Sequence, residues 1–128
     1  MRVAAIGIGS NSLRMLIADV ERGRLFRLDR YREGLRVFAA LDRQGNITPE
    51  MTGKACRSVE AFRRQAVTCG AERVHLFATS AVRDAANQEA FSQALLDATG
   101  LSLEICSGDL EARLSFICLL YTSPSPRD

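Results

Sequence analysis

Histidine and lysine are almost missing from this 128-residue chain, which has one of each, His75 and Lys54. Cysteine does not make good the shortage of metal ligands. Cys56, Cys69, Cys106 and Cys118 are scattered without Cys-x-x-Cys spacing, and His75 has no metal-ligand partner at helical or hairpin distance, which excludes an ordinary zinc site. The thiols are expected to be free and buried in a reducing cytosol, with Cys69 near a helix end and Cys106 in an apolar strand. No basic segment precedes an apolar stretch of signal-peptide length, and no apolar run approaches the roughly 20 residues of a membrane span. The expectation is a cytoplasmic protein with no membrane partner. Net charge is also scarce: 17 Arg and Lys against 15 Asp and Glu leave +2, too little to argue for nucleic acid.

What is present is a regular alternation of apolar runs and turns. A hydrophobic content of 47% with 25% charged residues suits one globular domain. Residues 3–8 and 13–20 read as strands joined by a small-residue turn, and Arg22-Gly23 turns the chain into a third strand over residues 25–31. Along that strand Arg22, Arg24, Arg27, Arg30 and Arg32 alternate imperfectly with Leu25, Phe26, Leu28 and Tyr31, the pattern of a half-exposed strand whose charges face water rather than an anion. Residues 34–41 read as loop or short strand, and residues 42–46 as a solvated turn.

The best helix follows. Thr48 suits its cap and Pro49 its first position, while Met51, Ala55, Val59, Phe62 and Ala66 recur at steps of three or four before Gly70 closes it. Residues 73–79 form a compact apolar strand, and a small-residue segment, 80–86, leads to a helix capped by Asn87. Phe91, Ala94, Leu95 and Ala98 are expected on its inner stripe and Gly100 at its stop. A strand over residues 101–106 precedes a last helix opened by Ser107-Gly108-Asp109, with Glu111 and Arg113 on one face and Leu114 and Ile117 on another. The sum is an α/β unit: a three-stranded meander followed by α-β-α-β-α. It is not a Rossmann unit, since no strand feeds a Gly-x-Gly-x-x-Gly turn into a helix.

Chemistry concentrates at the turn Gly9-Ser10-Asn11-Ser12. Gly lets the backbone bend and approach an anion, and Ser and Asn add side-chain donors to main-chain N–H groups. Hairpin chemistry alone also accounts for these residue types. Two further segments bear on the choice, residues 78–87 (Ala-Thr-Ser-Ala-Val-Arg-Asp-Ala-Ala-Asn) and residues 107–114 (Ser-Gly-Asp-Leu-Glu-Ala-Arg-Leu).

With residues 4–14, these segments resemble, in order, the amino-terminal half of the exopolyphosphatase and guanosine pentaphosphate phosphatase family, from about residue 3 to about residue 117. The resemblance implies a lobe of the actin, sugar-kinase and Hsp70-like (ribonuclease H-like) fold, residues 1–117 here, in which phosphate chains bind between two related lobes. It implies a Mg2+-dependent phosphohydrolase acting on inorganic polyphosphate or guanosine pentaphosphate, with a homodimer among the expectations for the longer protein. Glu111 matches the family's general base, and Arg83 its phosphate-binding arginine. Gly9, Ser10, Asn11 and Ser12 match the first phosphate loop, with Thr79 and Ser80 across the site.

Plainer readings stand beside these. A first-turn Glu complements the helix dipole by about 0.3–1 kcal/mol. Arg83 could pair with Asp84 or Asp109, and Asn87 reads as a cap rather than a ligand. Gly7 stands where the family has a metal-binding Asp, and Leu110 where it has Glu, so no metal ligand is expected in this chain. The family pattern would continue with Gly at position 118 and a second phosphate loop. Residues 118–128 instead resemble a translated sequencing-library adapter and are expected to be non-native or disordered, leaving a truncated and inactive chain. The alternative function is a non-catalytic sensor of polyphosphate or guanosine tetra- or pentaphosphate. A sugar or acyl kinase lobe is disfavoured by residues 107–113, a pattern those kinases lack.

Overall fold

Alternation along the first strand decides the layering. In β1 (Arg2–Ile8), Ala4, Ile6 and Ile8 point to one side of the sheet and Val3 and Ala5 to the other, all fully buried, so both faces must be covered. The computed structural model describes residues 1–122. It has β2 (Ser12–Glu21), β3 (Arg24–Gly34), α1 (Pro49–Thr68), β4 (Arg73–Ala78), a single helical turn α2 (Ser80–Arg83), α3 (Gln88–Thr99), β5 (Leu103–Ile105) and α4 (Leu110–Thr122). Five strands form one mixed sheet in the order β3-β2-β1-β4-β5. The first three are antiparallel neighbours, whereas β4 and β5 run parallel to β1 and therefore need the crossover helices α1 and α3.

The main core lies on the side of α1 and α3. Met51, Ala55, Val59, Phe62 and Ala66 of α1 pack with Phe91 and Leu95 of α3 on Ile6, Ile8, Leu13, Met15 and Ile17. On the other face Leu114, Ile117 and Cys118 of α4 cover Val3, Ala5, Leu16, Ala18, Val20 and Phe77.

Several local signals act as expected. Thr48 Oγ1 accepts from the Met51 amide at 3.2 Å with Pro49 at the first helical position, and Gly100 ends α3 at φ 76°. The Arg22-Gly23 turn has both residues at positive φ, 53° and 77°, the backbone that matches the twist of a two-residue hairpin.

Other expectations are corrected. β3 runs to Gly34 because β2 offers a partner as far as Ser12, so pairing rather than its own alternation sets its length. The register slips between Ile17 and Ala18, which pair with Asp29 and Arg27 and leave Leu28 as the extra residue. That bulge accounts for the three-residue step from Arg27 to Arg30 and brings Arg27 into phase with Arg30 and Arg32, while Arg24 stays on the opposite face. The 34–41 segment is a loop with a 3-10 turn at Phe38–Ala40 and two fully buried side chains, Leu35 and Val37. β5 is shorter than the expected 101–106, since only Leu103–Ile105 find partners on β4.

On α3, Ala98 is exposed and Thr99 is buried in its place. Asn87 precedes α3 but makes no side-chain cap; its amide binds Ile47 at both ends, accepting from N at 2.7 Å and donating to O at 2.9 Å. Glu111 and Arg113 do not share a face, because two helical steps separate them by about 200°. Glu111 turns to the sheet, while Arg113 donates to the Ser107 carbonyl and lies over Phe116. Of the four free thiols only Cys118 is buried, and burial pushes it up to about 12. Cys118 belongs to α4, which continues to Thr122; the rest of the tail expectation falls on residues 123–128, outside the described residues.

Candidate functional site

One row of residues across the sheet lays the floor of the site. Strand register aligns Arg32 of β3 with Arg14 of β2, Arg14 with Gly7 of β1, and Gly7 with Phe77 of β4. Partners in register share a face, so the row runs from two guanidiniums, across a residue with no side chain, to a fully buried ring. The first residue of α4, Leu110, closes over the gap. A Cβ on Gly7 would stand 2.5 Å from Leu110 Cδ1 and 2.6 Å from Phe77 Cζ, and one on Gly9 would stand 3.0 Å from Leu110 Cδ2.

The turn itself sits at the carboxyl end of β1, beside that of β4, where open α/β sheets place ligands. Gly9 N donates to Ser12 O at 2.9 Å and closes the bend. Gly9 is not at positive φ, so its lack of a side chain serves close approach rather than turning. The carbonyls of Ser10 and Asn11 accept from Phe38 N and Leu35 N, which pins the turn to the 35–38 loop. Among the described residues the amides of Ser10 and Asn11 donate to no protein group, leaving two N–H groups for an anion. Ser10 Oγ and Ser80 Oγ lie 3.3 Å apart.

The residues meet in a cleft of about 320 Å3 lined by Gly9, Ser10, Asn11, Ser12, Arg14, Arg32, Thr79, Asp109, Leu110 and Glu111. Thus the first loop, Thr79 and Glu111 come together, with Ser80 one hydrogen bond away. Arg83 does not join them. It is exposed, it pairs with Asp84 at 3.3 Å, and it is absent from the lining. Glu111 faces cations instead: its two carboxylate oxygens accept from Arg14 Nη1 and Arg30 Nη2. Arg14 Nε also donates to Ser12 Oγ at 3.2 Å, tying the turn to the same guanidinium. A second hollow of about 310 Å3 continues the cleft past Arg14, Arg30 and Arg32 toward Leu114.

A larger concavity of about 610 Å3 runs between α1 and α3. Its only carboxylate, Glu60, is bound by Arg63 and Arg64, and it holds no turn with spare amides, so the chemistry belongs to the smaller cleft.

Residue type marks the turn, and the family resemblance marks Glu111. They do not single out Arg14 and Arg32, whose signal lies in register: both stand on the α4 side of their strands once the bulge is placed.

The donor set also tests the Mg2+ that the resemblance implies. Mg2+ takes oxygen ligands and is anchored by carboxylates. Of the two positions where the family pattern puts them, Gly7 has no side chain and Leu110 is apolar, and the pair fill each other's space. Asp109 Oδ2 accepts from the Ala112 amide as a helix cap, and Glu111 is taken up by guanidiniums. No cluster of three His, Cys, Asp or Glu that could hold a metal occurs among the described residues. The residues of this chain do not fit a divalent cation there.

The model of the Ppx/GppA phosphatase family matches residues 16–127. Exopolyphosphatase 1 of Mycobacterium tuberculosis is 32% identical over 120 residues, covering 93% of this chain and 35% of the relative. Exopolyphosphatase 2 of the same organism is 36% identical over 124 residues, covering 90% of this chain and 39% of the relative. The chain therefore spans little more than a third of the length of these relatives. The crystal structure of the Aquifex aeolicus member of the Ppx/GppA family superposes with a TM-score of 0.78 at 26% identity, covering 96% of this chain and 40% of that one. The mixed five-stranded sheet is the α/β lobe of that actin-like fold, and the chain belongs to the Ppx/GppA phosphatase family.

Proposed function

We propose that the chain carries the amino-terminal share of a phosphohydrolase site that removes terminal phosphate from inorganic polyphosphate, with guanosine pentaphosphate as the second candidate. The observation that carries this reading is the meeting of Glu111 with the 9–12 turn in one cleft at the carboxyl ends of β1 and β4. The two exopolyphosphatase relatives favour polyphosphate.

In this reading the Ser10 and Asn11 amides and the Ser10, Ser12 and Thr79 hydroxyls donate to phosphate oxygens. Glu111 takes a proton from the attacking water as phosphorus is attacked in line. Its oxygens are held by Arg14 and Arg30 in the free chain. A phosphate oxyanion competes for those guanidiniums, so substrate entry and release of the base are coupled. Arg83 contributes to phosphate only by giving up Asp84.

The test is a chain joined to the remaining portion of Mycobacterium tuberculosis exopolyphosphatase 1. Phosphate release from polyphosphate should fall by about a hundredfold or more in Glu111→Gln while substrate binding changes little. Equal loss of both removes Glu111 from the base role.

A second reading, a polyphosphate sensor without turnover, is favoured by the contact between Gly7 and Leu110, which occupies the place of two acidic residues. A completed protein that binds polyphosphate and releases no phosphate would select it.

A further inference from the structure

The row Arg32, Arg14, Gly7, Phe77 changes what balances charge in the cleft. A phosphate chain entering a site needs cations or donors for its oxygens, and a divalent ion held by carboxylates is one way to supply them. Here Leu110 and Phe77 close the space above Gly7 with apolar atoms, while Arg14 and Arg32 line the same cleft. Arg32 is exposed and has no carboxylate partner among the described residues. Arg30 stands on the same side of the sheet, opposite Leu16, and joins the continuing hollow. Guanidiniums recognise phosphate oxygens through paired N–H groups with no metal between.

We infer that this cleft binds a condensed phosphate chain through Arg14, Arg32 and the 9–12 turn without a bridging divalent cation, with Leu110 as an apolar plug over the place of the ion. The inference rests on the turn being a phosphate cradle and adds the identity of the counter-charge. Arg32 contacts the chain beyond the turn, and Arg14 passes from Glu111 to the ligand. A Mg2+ ion in solution then acts only on the ligand, shielding its charge and weakening the contact.

Binding of inorganic tripolyphosphate to the full chain, measured by calorimetry in EDTA and again in Mg2+, tests this. The expected result is equal or tighter binding in EDTA. Arg32→Gln should weaken it by roughly tenfold or more, while Arg24→Gln, at the far end of β3, leaves it unchanged. Leu110→Glu should weaken it in EDTA by a similar factor, because a carboxylate then meets the phosphate where the plug was. Folding of each variant is checked by its thermal transition. Binding seen only with Mg2+, or unmoved by Arg32→Gln or Leu110→Glu, overturns the inference and leaves the cradle standing. Absence of binding in both solutions overturns the cradle as well.

Discussion

Leu110 and Gly7 stand 103 positions apart in the chain and share one space: Leu110 Cδ1 lies 2.5 Å from where a Gly7 Cβ would be. Each is a departure from the acidic pattern implied by the family resemblance, and the structure makes them one departure. An Asp at position 7 meets Leu110 and the buried Phe77 ring, so restoring that carboxylate alone does not restore a metal site.

The first prediction follows from that contact. Gly7→Ala should destabilise the chain by about 1–3 kcal/mol, the usual cost of overpacking. In a Leu110→Ala background the same change should cost less, though not nothing, since Phe77 Cζ remains 2.6 Å from the added carbon. Urea unfolding of the four proteins measures the coupling; strictly additive values would mean that Leu110 does not fill this space.

Arg30 offers a contrast between stability and binding. Its pair with Glu111 is half exposed, so Arg30→Gln should shift stability by less than about 1 kcal/mol. Tripolyphosphate affinity should fall more visibly, because the lost guanidinium joins the hollow that continues the cleft. A large stability loss with unchanged affinity would make Arg30 a structural residue.

Asn87 clamps Ile47 through both ends of its amide. Asn87→Ala should therefore destabilise by about 1–3 kcal/mol, since the buried Ile47 backbone loses its partner. Asn87→Ser discriminates between roles. Serine caps helices well but cannot bridge both Ile47 groups, so it should not rescue; full recovery of the unfolding midpoint would return Asn87 to the cap role.

Burial, with a smaller push from Arg73, holds His75 below the ordinary imidazole range. The folded state thus binds this proton less tightly than the unfolded chain. The stability linked to His75 is fully present above about pH 6.5 and is lost as pH falls from there through the lower folded-state value. The thermal midpoint of His75→Gln relative to the parent should rise between pH 7.5 and pH 5.5, and a pH-independent difference would show that His75 does not titrate with folding.

The local features of this fold were legible because they are set by backbone dihedrals and by period. Arg22-Gly23 at positive φ, Thr48 and Pro49 at the start of α1, Gly100 at the end of α3 and the unbroken apolar run of β1 each act within a few residues. Expectations failed where a partner elsewhere decided the outcome. The length of β3 follows β2, and the Asn87 side chain follows Ile47.

The sequence by itself determined the strands and helices, the turn chemistry at residues 9–12 and the family resemblance that marks Glu111, because these live in residue type and short-range spacing. Tertiary structure alone decided which charges meet. The bulge between Ile17 and Ala18 sets the phase of Arg27, Arg30 and Arg32, and the docking of α4 sets Glu111 against Arg14 and Leu110 over Gly7. Register and helix docking are long-range packing choices, in which one residue of slip moves every side chain to the opposite face, and no local pattern encodes them.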